Sequence, residues 1–190
     1  MLTFAIFVIC FAIGYGICLL ALLPTYSFWG ASLLFLACVG IEIVLNAIVA
    51  LVTCKIFPDK WFDPNAKFFC PSKQECRFYE KIGIRKWKDK NAELGSLNGF
   101  RKNKLGSAGD EKYIAQFILE CNKGFLDHFA SIVVGTLAIL ALPPKFMLPI
   151  GLPIIITNFI LNFMPIAILR YNIPRLKVAQ KFAARKQKEG

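Results

Sequence analysis

The sequence predicts an all-α, polytopic membrane protein: about four transmembrane helices with a basic, aromatic-rich cytoplasmic interfacial region. Three observations carry that reading. Hydrophobic residues make up 56% of the 190 positions, mean hydropathy is +0.54, and only 18% of positions are charged, against roughly 25% in soluble domains. The apolar residues are gathered into long blocks with few or no charges, and the formal charge of +11 is gathered between and after those blocks. Basic charge alternating with uncharged apolar runs fits an anionic membrane surface and speaks against nucleic acid as the partner.

The first block, Leu2 to Leu23, contains no charge, and at 1.5 Å per residue it covers the roughly 30 Å of bilayer hydrocarbon. No Lys or Arg precedes Lys55, so the block lacks the positive n-region of a cleaved signal and reads as a retained span. Pro24 ends it. The short turn Pro24 to Ser27 forces a tight hairpin into a second span, residues 28–54, interrupted only by Glu42 and Asn46. A third apolar run, Phe129 to Leu142, reaches spanning length when its helix begins near Phe125, giving a span over 125–142. Pro143, Pro144 and Lys145 close it, and residues 146–169 supply the fourth span, loosened by Pro149, Pro153 and Pro165. Proline is tolerated inside a membrane helix when a neighbour satisfies the carbonyl it frees.

Charge orients the bundle. The loop over 55–112 carries fourteen Lys/Arg against eight Asp/Glu, and the tail over 170–190 carries seven against one, a net +6 each. The positive-inside rule puts both segments, and both termini, in the cytoplasm of a multi-pass cell-membrane protein. The loop holds Trp61, Trp87 and Phe57, Phe62, Phe68, Phe69, Phe78 and Phe100 among its cations. Rings at headgroup depth beside phosphate-pairing cations predict that it lies on the bilayer against membrane lipids and anionic headgroups. Arg77 to Lys90, RFYEKIGIRKWKDK, is expected to contain a short amphipathic helix.

Chemistry-bearing residues are few. The seven cysteines contain no CxxC pair and only Cys70 and Cys76 stand close in the loop, so neither a zinc site nor a disulfide framework is expected, and no metal. Tyr113 to His128, YIAQFILECNKGFLDH, has helical apolar spacing. Glu120 and His128, eight apart, sit about 80° from each other around a helix and two turns apart along it. Lys123 and Asp127 form an i, i+4 pair. The single histidine of the chain thus falls where a helix enters the apolar phase with carboxylates nearby, an arrangement that suits a general base. A histidine resting at the interface is the alternative. Glu42 and Asn46 share one face of the second span, and an ionisable group there requires a polar partner or cavity. The polar line Thr157, Asn158 and Asn162 on the last span is the candidate partner, in chemistry or as an interhelical clamp.

Four stretches taken together, IGIRKWKDK at Ile82 to Lys90, GFRKNKL at Gly99 to Leu105, the Tyr113 to His128 helix and RYNIPRL at Arg170 to Leu176, resemble the glycosyl-4,4′-diaponeurosporenoate acyltransferase family of small bacterial membrane proteins. The named activity of that family, in carotenoid biosynthesis, is esterification of a fatty acyl chain to the sugar of a glycosylated carotenoid carboxylate. The resemblance covers about Arg77 to Leu176. It implies family roles for Trp87 and Lys88 in the tryptophan-lysine block, for Glu120 and His128 as the acidic residue and histidine of one helix, and for Arg170, Tyr171, Asn172 and Arg175 in the terminal motif. Between Glu120 and His128 the chain departs from the family pattern with Cys121, Asn122, Gly124 and Phe125.

An acyltransferase reading makes His128, Glu120 and Asp127 the catalytic candidates. Trp87, Lys88, Arg170, Tyr171, Asn172, Arg175, Glu42 and Asn46 then become the substrate-binding candidates. His128 would take a proton from an acceptor hydroxyl at the cytoplasmic face, and Lys88, Arg170 and Arg175 would stabilise the oxyanion or hold donor phosphates. The expected acceptor is lipid-like, a glycosylated isoprenoid or glycolipid. The expected donor is an acyl-CoA or an acyl carrier protein, with no bound cofactor. Residue 133 is Val, so no HxxxxD motif of the soluble-type glycerolipid acyltransferases is present. The competing class is a non-catalytic accessory or lipid-binding protein whose basic loop docks a partner; a transporter would call for inverted repeats.

Overall fold

In the computed structural model, residues 2–88 and 111–189 are described, and among them every regular element is helical. Four helices are long and apolar enough to cross a membrane: Leu2–Leu22, Phe28–Ile56, Glu111–Leu140 and Pro144–Lys186. The chain is an all-α polytopic membrane protein. It divides into two compact units, one of residues 1–56 and 126–164, the other of residues 57–125 and 165–190.

The first unit is the apolar one. Helix α1 (Leu2–Leu22) buries Gly14, Cys18 and Leu22, which recur every four residues on one face. Phe4, Ile9, Ile13 and Leu20 point outward, as lipid rather than water would demand. Helix α2 (Phe28–Leu51) starts at Ser27, whose Oγ accepts from the Gly30 amide at 3.1 Å, an N-cap that fixes the tight turn after Pro24. A π-helical turn, Val52–Ile56, prolongs α2 to the length of the expected span. Ala31, Phe35 and Cys38 of α2 meet Cys18 and Leu22 of α1 in one core with Ile139, Ile150 and Ile154. Ser32 Oγ donates to the Phe28 carbonyl at 2.7 Å, so Tyr15 OH donates to Ser32 at 2.7 Å, a polar rivet between two apolar helices.

The third span is the C-terminal part of α5 (Glu111–Leu140), which runs unbroken from the amphipathic segment into the apolar one. Pro144 opens the short α6 (Pro144–Phe146), and a π-helical turn, Met147–Gly151, holds Pro149 and leads into α7 (Leu152–Glu189). Pro153 follows directly on the π-helical turn, whose last bond runs from the Leu152 amide to the Met147 carbonyl. At Gly14 an added Cβ would stand 3.0 Å from the Pro153 Cβ, so the bare backbone of α1 lets α7 approach. Lys145 Nζ donates to Tyr26 OH at 3.0 Å and lies 4.8 Å from the Phe146 ring centroid, bringing the two short turns together.

The second unit pairs the N-terminal part of α5 with the C-terminal part of α7, antiparallel. Ile114 and Ile118 pack on Ala183, and Phe117 and Cys121 on Ile173, with Leu176 flanking both clusters. The tail expected after residue 169 is therefore helix. Pro165 and Pro174 lie inside α7, and burial of Ile173 and Ala183 against α5 outweighs the bonds those prolines remove. The expected helix within Arg77 to Lys90 forms differently, as α3 (Lys73–Lys81) and a single turn, α4 (Ile84–Trp87). Ser72 caps α3 through the Glu75 amide at 3.0 Å, starting it before Arg77. Gly83, at φ 71°, ends the run. The GFRKNKL stretch, Phe100 and residues 89 and 90 fall outside the described residues.

Candidate active site

The first unit contains one polar seam. Glu42 and Asn46 of α2, one turn apart, face inward. Asn46 Nδ2 donates to the Glu42 carbonyl at 2.8 Å and to Glu42 Oε1 at 3.2 Å. Asn162 of α7 reaches toward Asn46, Nδ2 to Oδ1 at 3.5 Å, and donates within its own helix to the Asn158 carbonyl at 3.0 Å and to Asn158 Oδ1 at 2.6 Å. Asn158 Nδ2 in turn donates to the Ser131 carbonyl of α5 at 3.1 Å. At the other end of the seam stands His128, with Nδ1 at 2.9 Å from Asn162 Oδ1.

Three helices thus contribute to one line of carboxamides between a carboxylate and an imidazole. Glu42 is 7% exposed, and its Oε2 makes no hydrogen bond among the described residues. The carboxyl group fits because α5 has no side chain opposite: a Cβ on Gly135 would lie 1.9 Å from Glu42 Oε1 and 2.6 Å from Asn158 Nδ2. Thr157, expected in the same line, instead donates to the Pro153 carbonyl of its own helix at 2.7 Å. Asp127 neighbours His128 in the chain, and its Oδ1 is buried without a hydrogen bond among the described residues.

The remaining candidates lie in the second unit. Glu120 accepts from Gln116 at 3.0 Å and pairs with Lys123 at 3.5 Å. Lys123 makes its shorter ion pair to Asp59, at 2.7 Å, in place of the expected Asp127 pair. Arg170 is buried and directed at Glu75: Nη2 meets Oε2 at 2.8 Å, Nε meets Oε1, and Nη1 donates to the Phe68 carbonyl at 2.7 Å. Its guanidinium stacks 4.4 Å from the Phe125 centroid. Tyr171 OH accepts from Arg85 Nε at 2.9 Å. Arg175 lies over the Tyr171 ring at 3.6 Å, donates to the Tyr171 carbonyl at 2.7 Å and stands 3.6 Å from Glu80. Trp87 Nε1 donates to the Ile82 carbonyl at 3.3 Å. Lys88 and Asn172 are half-buried.

Charge settles the protonation of this cluster outside the spans. Burial, the largest single influence, would raise the Glu75 carboxyl, but hydrogen bonds from Arg170 and Tyr79 and the Arg170 charge together hold it below the ordinary carboxylate range. Tyr79, which donates to Glu75 at 2.6 Å, is pushed up by burial first and by that carboxylate second.

The departures between Glu120 and His128 have packing explanations. Cys121 is in the core with Ile173. Asn122 is fully buried and donates to the Phe62 carbonyl at 3.2 Å. A Cβ at Gly124 would press on Leu169 Cδ1 at 3.0 Å, and Phe125 carries Arg170. Ser131 and Gly135 are site residues that the sequence reading missed. With His128 they fall at i, i+3 and i+7 of one helix, a small and polar stripe whose spacing was visible. Glu75, Glu80 and Arg85 left no such signal, because the α7 partners they meet, Arg170, Arg175 and Tyr171, lie some ninety positions away in the chain.

The fold defines a helical membrane protein whose first unit holds a polar seam ending in the single histidine of the chain and whose second unit is rich in arginine and aromatic pairs. Residues 58–181 match the sequence profile of glycosyl-4,4′-diaponeurosporenoate acyltransferase, and the chain belongs to that family, one of acyltransferases in carotenoid-related biosynthesis. No curated protein and no solved structure matches the chain.

Proposed function

We propose that the protein is an integral membrane acyltransferase that moves a fatty acyl group onto a hydroxyl of a glycosylated isoprenoid or glycolipid at the cytoplasmic membrane face, with His128 as general base. The observation that carries the assignment is the His128 Nδ1 contact to Asn162 at 2.9 Å, which holds the ring at one nitrogen and leaves Nε2 for substrate. In the reaction, His128 Nε2 accepts the proton of the acceptor hydroxyl as its oxygen attacks the thioester carbonyl of an acyl-CoA or acyl carrier protein. The tetrahedral intermediate collapses with cleavage of the carbon–sulfur bond, and the departing thiolate takes the proton back from His128. Both substrates keep their tails in the bilayer, so chemistry at the headgroup level requires only that their reactive ends meet.

Lys88 and Arg175, on the basic unit, are the proposed contacts for donor phosphate. Arg170, committed to Glu75 and a backbone carbonyl, serves in this reading as scaffold for that unit. Glu120 adds negative charge two turns before His128 on α5, in support of the imidazolium that forms. In this reading both termini and the basic segments lie in the cytoplasm, which the excess of Lys and Arg in the loop and tail supports.

The test is acyl transfer by protein purified with native lipids, from acyl-CoA to a glycosylated carotenoid and, separately, to a glycolipid. His128→Ala should lower turnover by about 100-fold or more, and Glu120→Gln by less. Undiminished product from His128→Ala would leave the non-catalytic reading in its place. Reporter fusions at both termini check the orientation; an external signal from either end overturns it.

A further inference from the structure

We infer that Asn162 is a positioning residue: it fixes His128 as the tautomer protonated at Nδ1, so that Nε2 is the basic nitrogen. The inference rests on the reading of His128 as base for its catalytic part, and on hydrogen-bond direction alone for its structural part. An imidazole nitrogen and a carboxamide at 2.9 Å do not by themselves say which one donates. The surroundings of Asn162 do. The carboxamide atom turned away from His128 faces three oxygens: the Asn158 carbonyl at 3.0 Å, Asn158 Oδ1 at 2.6 Å and Asn46 Oδ1 at 3.5 Å.

A backbone carbonyl only accepts, so the atom facing it carries hydrogens and is Nδ2; the opposite assignment would set an oxygen against three oxygens. The two neighbouring carboxamides are oriented in the same way. Asn158 Nδ2 is held on the Ser131 carbonyl at 3.1 Å and Asn46 Nδ2 on the Glu42 carbonyl at 2.8 Å, so each presents its own Oδ1 to Asn162. Three carboxamides, each tied to a backbone carbonyl, leave Asn162 Oδ1 as an acceptor facing His128. Nδ1 must then be the donor. In an apolar bundle the penalty for a mispaired polar group is high, which makes the arrangement rigid as well as directional. The logic is that of a base oriented by a third group, with a neutral carboxamide where hydrolases place a carboxylate.

The chain has one histidine, so selective ¹⁵N-histidine labelling of the full protein in lipid nanodiscs gives one ring to assign. On the neutral ring the expected spectrum shows a protonated, pyrrole-type Nδ1 and a bare, pyridine-type Nε2. A ring protonated at Nε2 overturns the proposal without any variant being made. Asn162→Leu should release the tautomer and lower kcat at least tenfold with KM little changed. Its effect should vanish in the His128→Ala background, whereas a merely structural role would lower the residual activity there too. A wild-type tautomer that persists in Asn162→Leu overturns the proposal. Full activity in His128→Ala would overturn the reading of His128 as base, and with it the catalytic part of Asn162, while the tautomer read from the spectrum would stand.

Discussion

Arg170 and Glu75 meet as a two-pronged ion pair across 95 positions of sequence, with Nη2 at 2.8 Å from Oε2. Arg170 is 8% exposed and the Glu75 side chain 25%, so the pair ties the α3 segment to α7 inside the second unit at the expense of one desolvated and one partly desolvated charge. Removing one partner strands the other. Glu75→Ala is expected to destabilise by about 3–5 kcal/mol, read as a lowered midpoint of thermal unfolding in detergent, and Arg170→Ala by a similar amount. The two losses should not add in the double variant, because the second deletion removes the charge that the first left alone.

The same pair predicts an acid limb. Glu75 is held below its ordinary range in the folded protein, burial notwithstanding, by Arg170 and Tyr79. A carboxyl depressed on folding contributes stability that is fully present above its unfolded value and lost as pH falls through the folded one. Between neutral pH and about pH 4.3, the ordinary glutamate value, the contribution of this group should therefore be full and nearly constant with pH, and below that it should be lost. Glu75→Gln should flatten that fall. An unchanged acid limb in the variant would assign it to other carboxylates.

Gly135→Ala tests the seam. The new methyl would overlap the Glu42 carboxyl, which a Cβ would approach to 1.9 Å, and Glu42 has backbone on one side and Asn46 on the other. Overpacking of this kind costs about 1–3 kcal/mol. The expected readout is loss of acyl transfer together with a lowered melting midpoint, and partial recovery of the midpoint in the Gly135→Ala, Glu42→Ala double variant, where the overlap with the carboxyl is gone and only the approach to Asn158 Nδ2 remains.

Gly83→Ala tests the break between α3 and α4. Gly83 holds φ at 71° with only Lys86 Cδ near a Cβ, at 4.0 Å, so the cost is conformational rather than steric crowding by neighbours. About 1–2 kcal/mol is expected for alanine, and less for Gly83→Asn, which tolerates the left-handed region. Equal losses for the two would point to packing instead.

Composition and charge determined a great deal here. Four apolar blocks, bounded by Pro24, the Pro143 to Lys145 turn and the basic segments, gave four spanning helices because a backbone in hydrocarbon has no choice but to satisfy itself internally. Spacing along one helix also marked Glu42 with Asn46, and His128 as the singular titratable ring. Tertiary structure decided who partners whom. Local spacing offered His128 a carboxylate from its own helix, yet the ring nitrogen meets Asn162 of α7, and Arg170, read as a free cation for substrate, is turned onto Glu75. Periodicity reports which residues share a face, but not what the facing helix presents to it. That depends on register between segments far apart in the chain, and on single positions such as Gly135 whose lack of a side chain leaves room for a carboxyl group.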